Sequence, residues 1–357
     1  MNLYQKFRPF SWEAIYGNQK SIKELQKRAK EDKIPSALFI AGLSGSGKST
    51  IARLLSACIT CENLNKETGN PCGKCKYCED ILNENFSLAT HYYNASNLAI
   101  EDMRNIDREA ITRSLTSRKK IIIIDEMQEL HNNKKAMKNI LVTLERVSKD
   151  VTFILLAMDD SKVDTAIKNR CVYYRLGAID SSDIAKYLKF ICDSEGVKLT
   201  DSQFPALFTI AENCGGSVRT AVSFLERCLE GDIWEEQEII KELGLISQST
   251  LVGLCDKLLR GDVSILETEI NVEILGKIRW LVATAYKEKA GIELNGYYKK
   301  SIGNLSQTTT EEVFARTIEK LNSINNFIYS DAILLESLVL DICLYNKKNV
   351  PKRRLHG

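Results

Sequence analysis

One segment has the residue types and spacing to bind the phosphates of a nucleotide. Residues Gly42 to Ser49 read GLSGSGKS and fit the pattern G-x-x-x-x-G-K-[S/T], between an apolar strand-like run and a helical pattern. The glycines allow backbone N–H groups to turn toward phosphate oxygens, where the N-terminus of the following helix adds partial positive charge. We predict that Lys48 reaches the β- and γ-phosphates and that the Ser49 hydroxyl binds Mg²⁺.

A second segment supplies two carboxylates at the end of an apolar run. Four consecutive isoleucines, 121–124, are followed directly by Asp125 and Glu126. Strand ends often carry acidic residues for solubility alone, so this pair gains its meaning from the phosphate loop upstream. We predict that Asp125 holds the Mg²⁺ shell together with Ser49 and that Glu126 orients and activates the attacking water.

Four of the eleven cysteines are spaced to hold a metal ion. Cys61 is followed by Cys72, Cys75 and Cys78, and the last three form a C-x-x-C-x-x-C pattern. Four thiolates suit tetrahedral zinc, although the ligand type alone also permits an iron–sulfur cluster. Cys58 competes for the first ligand position, but it lies on the predicted buried stripe of its helix and is assigned to the core. Because four thiolates complete a tetrahedral set and leave no open ligand position, the site is predicted to be structural.

The elements around these motifs indicate an α/β domain followed by helical domains. The chain has 357 residues, of which 44% are hydrophobic and 27% charged, as in an ordinary folded protein of two or three domains. Short β-branched runs alternate with amphipathic segments up to about residue 176, a pattern typical of a parallel sheet with helices on both faces. Beyond it the apolar spacing is helical. We predict domains at 1–177, 178–243 and 244–357, with the cysteine insertion at 61–78.

Charge and hydropathy exclude several classes of protein. The 49 basic and 47 acidic residues give a net charge of +2, so any DNA contact needs a local patch rather than bulk electrostatics. No apolar run reaches membrane-spanning length and the first residues lack the plan of a secretion signal, so we expect a cytoplasmic protein without a membrane partner. The basic tail that ends with Lys352, Arg353 and Arg354 is interpreted as a solvated terminus rather than a nucleic-acid contact.

These motifs, in this order, resemble the AAA+ clamp loaders of DNA replication, and among them the gamma/tau ATPase subunits of bacterial DNA polymerase III. Residues 4–9 and 15–18 are similar to two family segments that lie along the adenine side of the nucleotide. Residues 169–171, Asn-Arg-Cys, are similar to the family's S-R-C motif, and residues 216–219 to the segment that carries the sensor arginine of the lid. The resemblance covers roughly the first two thirds of the chain.

The resemblance implies an ATPase with a P-loop AAA+ domain, a three-helix lid and a helical collar, and it implies ATP, Mg²⁺ and Zn²⁺ as ligands. Zinc is favoured because the family carries a four-cysteine insertion after the phosphate-loop helix. Arg170 is implied to enter the ATP site of a neighbouring subunit, so the implied catalytic set is Lys48, Asp125, Glu126, Arg170 and Arg219. The implied nucleotide-binding set is Tyr4, Arg8, Pro9, Ile15, Tyr16, Gly17, Gly42, Gly45, Ser46, Gly47, Lys48, Ser49, Thr50 and Arg219.

The resemblance also implies partners: the other subunits of a pentameric clamp loader at the replisome, a sliding clamp, primer–template DNA and DNA polymerase. Arg104, Arg108 and Arg113 match a family helix that follows duplex phosphates, an interaction that should weaken as salt rises. Because Asp102, Asp107 and Glu109 are interleaved with them, a solvated helix face is the alternative.

Two departures from the family pattern bear on hydrolysis and on one loop. Met158 and Asp159 stand where the family has a small polar residue near the γ-phosphate, and an Asp there is expected to repel phosphate and slow hydrolysis. The paired prolines that usually follow Leu144 and Glu145 are absent from the sequence. Since the sequence ends at Gly357, we expect a short, gamma-like form, or one from a replication system with a reduced subunit set such as that of a bacteriophage. A non-hydrolysing structural loader subunit and a helicase loader or other DNA-remodelling ATPase are the alternative functions.

Overall fold

The computed structural model describes residues 2–112, 117, 119–245, 248–268, 270–292, 305, 307, 309–322 and 332–349. The chain forms two compact units, Met1–Ile239 and Ile240–Gly357. Among the described residues, no helix combines the length and the apolar composition needed to cross a bilayer.

The first unit is built on a parallel sheet of five strands in the order β2-β3-β4-β1-β5. The strands are β1 (Ala37–Gly42), β2 (Thr90–Asn94), β3 (Lys120–Asp125), β4 (Val151–Ala157) and β5 (Val172–Leu176). Both β3 and β4 are buried along their whole length, as their uninterrupted apolar runs predict. The register pairs Asn94 with Asp125 and Ala41 with Ala157, so the carboxyl ends of these strands meet at one edge.

The helices of the first unit and the one that closes it are α1 (Leu3–Lys6), α2 (Gln19–Lys30), α3 (Lys48–Thr60), α4 (Lys76–Leu82), α5 (Ile100–Ile111), α6 (Lys134–Glu145), α7 (Thr165–Lys168), α8 (Ser181–Ser194), α9 (Phe204–Asn213), α10 (Val218–Gly231) and α11 (Glu236–Glu242). Short 3₁₀ helices span Ala95–Asn97, Met127–Asn132 and Asp160–Lys162. The segment 178–243, predicted to form a three-helix lid, contains α8, α9, α10 and the short α11.

Different helices cover the two faces of the sheet. Along β1, Leu38 and Ile40 pack with apolar side chains of α2 and α3, whereas Phe39 and Ala41 pack with those of α5 and α6. This alternation follows from the period of two along a strand. The predicted parallel sheet with helices on both faces is confirmed.

The second unit is helical throughout its described residues. It contains α12 (Gln248–Arg260), a 3₁₀ helix (Val263–Glu267), α13 (Val272–Lys289), α14 (Glu311–Asn322) and α15 (Ala332–Asn349). One apolar core joins them, and a buried polar pair lies within it: Asn346 donates to Thr317 Oγ1 at 3.1 Å and to the Leu258 carbonyl at 2.9 Å. These bonds satisfy the buried amide, which would otherwise destabilise the core.

Candidate functional site

The phosphate loop connects β1 to α3 and is shaped by two glycines. Gly45 and Gly47 have φ values of +74° and +96°, in the region that favours glycine. The loop also contacts the start of α10, because the Val218 N–H donates to the Gly45 carbonyl at 3.1 Å. This contact fixes the distance between the loop and the arginine that follows Val218.

Lys48 begins α3 and is nearly buried. Its ammonium donates to the carbonyls of Gly42 at 2.7 Å and Leu43 at 3.0 Å, which leaves one of its three protons for another acceptor. Burial lowers the pKa of Lys48, and the charges of Asp125 and Glu126 oppose that shift. The cation is therefore partly desolvated and surrounded by acceptors, a setting in which an anionic ligand is stabilised strongly.

The sheet edge brings Ser49 to Asp125, as predicted for the Mg²⁺ pair. The Ser49 hydroxyl donates to Asp125 Oδ2 at 3.2 Å, and the Glu126 N–H donates to Asp125 Oδ1 at 2.8 Å. Tyr92 on β2 donates its hydroxyl to Asp125 Oδ2 at 2.6 Å. Burial, and next the hydrogen bond to Asp125, raise the pKa of Tyr92, so it stays a protonated donor. The sequence reading missed Tyr92, whose role comes from strand pairing.

Glu126 lies just past β3 in a left-handed backbone conformation, with φ of 57°. Its carboxylate accepts a hydrogen bond from the Gln128 side-chain amide, and the Gln128 carbonyl oxygen accepts from the Met158 N–H at 3.0 Å. Gln128 thus ties the carboxylate to the end of β4. The sequence reading did not identify Gln128, because a buried glutamine has no spacing signature.

Asp159 does not line either of the two cavities beside the phosphate loop. Its carboxylate accepts from the Ser161 N–H at 3.0 Å and from the Ser161 hydroxyl at 2.6 Å, and it lies 3.8 Å from the Lys162 ammonium. Met158 instead lines the polar cavity described next. The expected effect of Asp159 on hydrolysis stays a prediction.

Two adjoining cavities lie beside the phosphate loop. One is mainly apolar and the other mainly polar, and they share Tyr4, Gly45 and Gly47 in their linings. The apolar cavity is also lined by Pro9, Ala14, Ile15, Tyr16, Ser46, Thr50, Ile179, Tyr187 and Val218. The polar cavity is also lined by Ser44, Lys48, Ser49, Asp125, Glu126, Met158 and Arg219. An apolar compartment joined to a polar one suits a ligand with a flat base and a charged tail.

Three residues of the predicted nucleotide set support the cavity from behind its lining. Arg8 Nε donates to the Thr50 hydroxyl at 3.2 Å. A Cβ at Gly17 would lie 2.8 Å from Ile179 Cγ2, and one at Gly42 would lie 2.9 Å from the Ser46 hydroxyl. Because neither glycine has a side chain, the lining residues Ile179 and Ser46 can approach the backbone at these two positions.

The apolar lining also contains residues that sequence reasoning missed. Tyr187 on α8 donates its hydroxyl to the Phe7 carbonyl at 2.7 Å, and its ring centroid lies 5.4 Å from that of Tyr16. Its helical spacing predicts a core side chain, and only the fold shows that this part of the core borders a cavity.

The two predicted functional arginines lie in different places. Arg219, in the first turn of α10, lines the polar cavity, and its guanidinium lies 5.2 Å from the Tyr4 ring centroid. Arg170 follows α7 and lies outside the lining of both cavities. It forms an ion pair with Glu145 and donates to the Ala166 carbonyl at 3.0 Å, with 38% of its side chain exposed.

The four predicted metal ligands come together. The sulfurs of Cys61, Cys72, Cys75 and Cys78 all lie within 4.8 Å of one another, and Cys75 and Cys78 are 3.5 Å apart. Sulfurs placed tetrahedrally at about 2.3 Å from one ion lie roughly 3.8 Å apart, so the set fits zinc. Cys58 is buried, and its thiol donates to the Gly69 carbonyl at 3.2 Å, in keeping with a core role.

The predicted DNA-facing helix is α5. Arg104 and Arg108 are exposed, whereas Asp102 accepts from the Ala99 N–H at 2.9 Å and Asp107 accepts from the Thr143 hydroxyl. The interleaved acids are thus engaged within the chain. Arg113 and the tail residues Lys352, Arg353 and Arg354 lie outside the described residues.

Sequence comparison relates the chain to subunits of DNA polymerase III. A family model described as "DNA polymerase III, delta subunit" matches residues 17–180, less than half of the chain. The tau/gamma subunit of Haemophilus influenzae is 28% identical over 74% of this chain and 38% of that protein. The gamma subunit of Buchnera aphidicola from Acyrthosiphon pisum is 29% identical over 73% of this chain and 71% of that protein. The Bacillus subtilis tau subunit is 28% identical, with 46% of it covered.

Structural comparison gives the fold. Two RuvB variants from Thermotoga maritima superpose with a TM-score of 0.50, at 14% and 15% identity, and the match covers 87% of this chain and 98% of each of theirs. At that identity the likeness concerns the fold alone. The predicted AAA+ fold with helical C-terminal domains is confirmed.

Proposed function

We propose that this chain, a gamma/tau-like relative of DNA polymerase III subunits at 26–29% identity over 73–78% of its length, is an ATP-hydrolysing subunit of a sliding-clamp loader. The observation that carries the proposal is the pair of adjoining cavities beside the phosphate loop. One is lined by aromatic and aliphatic side chains, and the other by Lys48, Ser49, Asp125, Glu126 and Arg219.

ATP would place its base in the apolar cavity and its phosphates in the polar one. Tyr16 and Tyr187 offer aromatic surface to the base, and the left-handed glycines of the loop expose N–H groups to the phosphates. Lys48 would exchange its bonds to loop carbonyls for bonds to phosphate oxygens. Arg219 would add a second cation, since it lines the same cavity.

Asp125 and Glu126, at the carboxyl end of β3, would support hydrolysis. Ser49 and Asp125 would hold Mg²⁺, which neutralises charge that develops on the phosphates. Glu126 would accept a proton from the attacking water, and its bond from Gln128 would hold the carboxylate in one orientation.

Assembly would complete the site. Arg170 lies outside its own chain's cavities and is partly exposed, so we assign it to the ATP site of a neighbouring subunit. The second, helical unit would join subunits into a pentameric ring. Exposed Arg104 and Arg108 would contact primer–template phosphates without reading sequence. ATP-bound and ATP-free assemblies would then differ in their grip on clamp, DNA and polymerase.

Steady-state ATP turnover tests this function. The chain is combined with partner subunits, then with a sliding clamp, with primed DNA, and with both. The proposal requires turnover that rises most when clamp and primed DNA are present together. A turnover rate that is unchanged by the clamp but rises when a helicase is added would instead support a helicase loader.

The match to a delta-subunit model favours a second candidate, a structural loader subunit that donates Arg170 but does not turn over ATP. It predicts that variants of Lys48 and Glu126 leave the turnover of the assembled complex unchanged.

We also propose that the four-cysteine cluster holds one zinc ion as a structural site. Cys61 directly follows α3 and Cys75 directly precedes α4, so the ion would fasten the insertion to the phosphate-loop helix.

Metal analysis of the purified chain should find about one zinc per chain, and Cys75→Ser should remove most of it, because three thiolates bind Zn²⁺ less tightly than four. Cys58→Ala is the matched control and should keep the metal. Iron with visible absorption, or loss of metal in Cys58→Ala, would contradict the assignment.

A further inference from the structure

We propose that the return loop, residues 83–88 after the cysteine cluster, is a positioning element of the nucleotide site, and that Glu84 transmits the metal state of the cluster to nucleotide affinity. The inference rests on the ATP site proposed above. Neither the sequence motifs nor the relatives' names point to this loop.

The return loop is folded onto the helix that carries the cluster. Asp80 on α4 is buried, and its carboxylate accepts from the N–H groups of Ser87 at 3.0 Å and Leu88 at 3.2 Å and from the Ser87 hydroxyl at 2.7 Å. Glu84 and Phe86 have φ values of +58° and +49°, a strained conformation that persists only where surroundings impose it. The placement of the loop therefore depends on the placement of α4, whose first turn contains Cys78.

Glu84 joins this loop to two arginines. Its Oε1 accepts from Arg53 Nη1 at 2.5 Å and from Arg8 Nη1 at 3.3 Å. The arginine side chains are only 14% and 15% exposed, and Arg53 Nε is buried with no hydrogen-bond partner among the described residues. Burial lowers the pKa of Arg8, and the charge of Arg53 lowers it further. The two cations thus repel each other, and Glu84 is the carboxylate that both contact.

Arg8 links Glu84 to residues that line the apolar cavity. Arg8 Nε donates to the Thr50 hydroxyl at 3.2 Å, and its guanidinium lies 5.8 Å from the Tyr4 ring centroid. Thr50 lines the apolar cavity, and Tyr4 lines both cavities. A shift of Arg8 therefore moves two lining residues.

Phe86 links the return loop to Asp125 through Tyr92. The Phe86 ring stacks on the Tyr92 ring, with centroids 5.4 Å apart. The Arg53 guanidinium lies 5.0 Å from the Phe86 ring centroid. Tyr92 donates to Asp125 Oδ2 at 2.6 Å. The return loop thus supports both ends of the nucleotide site, although none of its own residues lines either cavity.

Equilibrium titration with a fluorescent ATP analogue and Mg²⁺ tests the inference on the full chain. Glu84→Gln keeps the shape of the side chain and removes its charge, so we expect affinity to fall about five- to tenfold, the effect of a charge-assisted bond discounted for partial exposure. Glu79→Gln, an exposed glutamate on α4, is the matched control and should bind within about twofold of the parent. If Glu84→Gln fails to fold, Phe86→Leu is measured in its place, and it should weaken binding about threefold.

The outcomes separate this inference from the proposed function. No binding by the parent chain would overturn the ATP site itself. Binding by the parent that is weakened in Lys48→Ala but unchanged in Glu84→Gln, or unchanged in Phe86→Leu, would overturn only the role of the return loop.

A metal arm tests the link to the cluster. The same titration compares Zn²⁺-loaded with metal-stripped chain, for the parent and for Glu84→Gln. Stripping should weaken binding by the parent and should weaken Glu84→Gln little further, because both changes release the same contact. Equal affinity of loaded and stripped parent, or losses that add in full, would overturn the coupling.

Discussion

In a complex assembled with its neighbours, a chain with Arg170→Ala should turn over ATP at least about a thousandfold more slowly than the parent, the range found for an arginine supplied in trans to phosphoryl transfer. The ion pair with Glu145 is no obstacle to this role. A partly exposed pair contributes about 1 kcal/mol or less, so Arg170 can leave it for a triphosphate at little cost.

Steady-state turnover beside nucleotide binding checks this prediction. Arg170→Ala should retain the nucleotide affinity of the parent, since its own cavities do not contain the side chain. Arg175→Ala is the matched control, because Arg175 is an exposed arginine nearby that pairs with Asp160. Turnover that stays near that of the parent would contradict the assignment in trans. A loss of the variant's own nucleotide affinity would also contradict it, because Arg170 would then act in the nucleotide site of its own chain.

Replacing Glu126 with Gln should leave ATP binding within about threefold of the parent and lower turnover by about 10²- to 10⁴-fold. The amide cannot accept a proton from water, but it preserves the size of the side chain beside Gln128. The measurement is single-turnover hydrolysis on the assembled complex, which separates the chemical step from product release.

Glu129→Gln is the matched control for that experiment, because Glu129 is exposed on the 3₁₀ helix that follows Glu126. Its turnover should equal that of the parent. If Glu126→Gln and Lys48→Ala both leave turnover unchanged, the chain is the structural loader subunit and not the motor.

The central strands and the phosphate loop could be read from the sequence because their signals are local. A strand buried on both faces needs an uninterrupted apolar run, and the runs of β1, β3 and β4 satisfy this. The edge strand β2 was not predicted. Its residues, Thr90–Asn94, are mostly half-buried or exposed, so it carries no such run.

Within the site, the residues that follow a motif were placed by the sequence and the residues that support them were not. Ser49 and Asp125 meet because parallel strands end at one edge, which the pattern of β1 and β3 already implies. Tyr92, Gln128 and Glu84 each contact a residue distant in the chain, and for Gln128 that residue is Met158. Their residue types are ordinary, and only the packing of the fold brings them to the nucleotide loop.

Titration of Mg²⁺-ATP against the purified chain, beside Lys48→Ala, decides whether the two cavities form a nucleotide site. We predict saturation at one ATP per chain and an affinity about ten- to a hundredfold lower in Lys48→Ala, the loss of a charge-assisted bond to phosphate. Absence of binding by the parent, or equal affinity in the two proteins, would contradict the account.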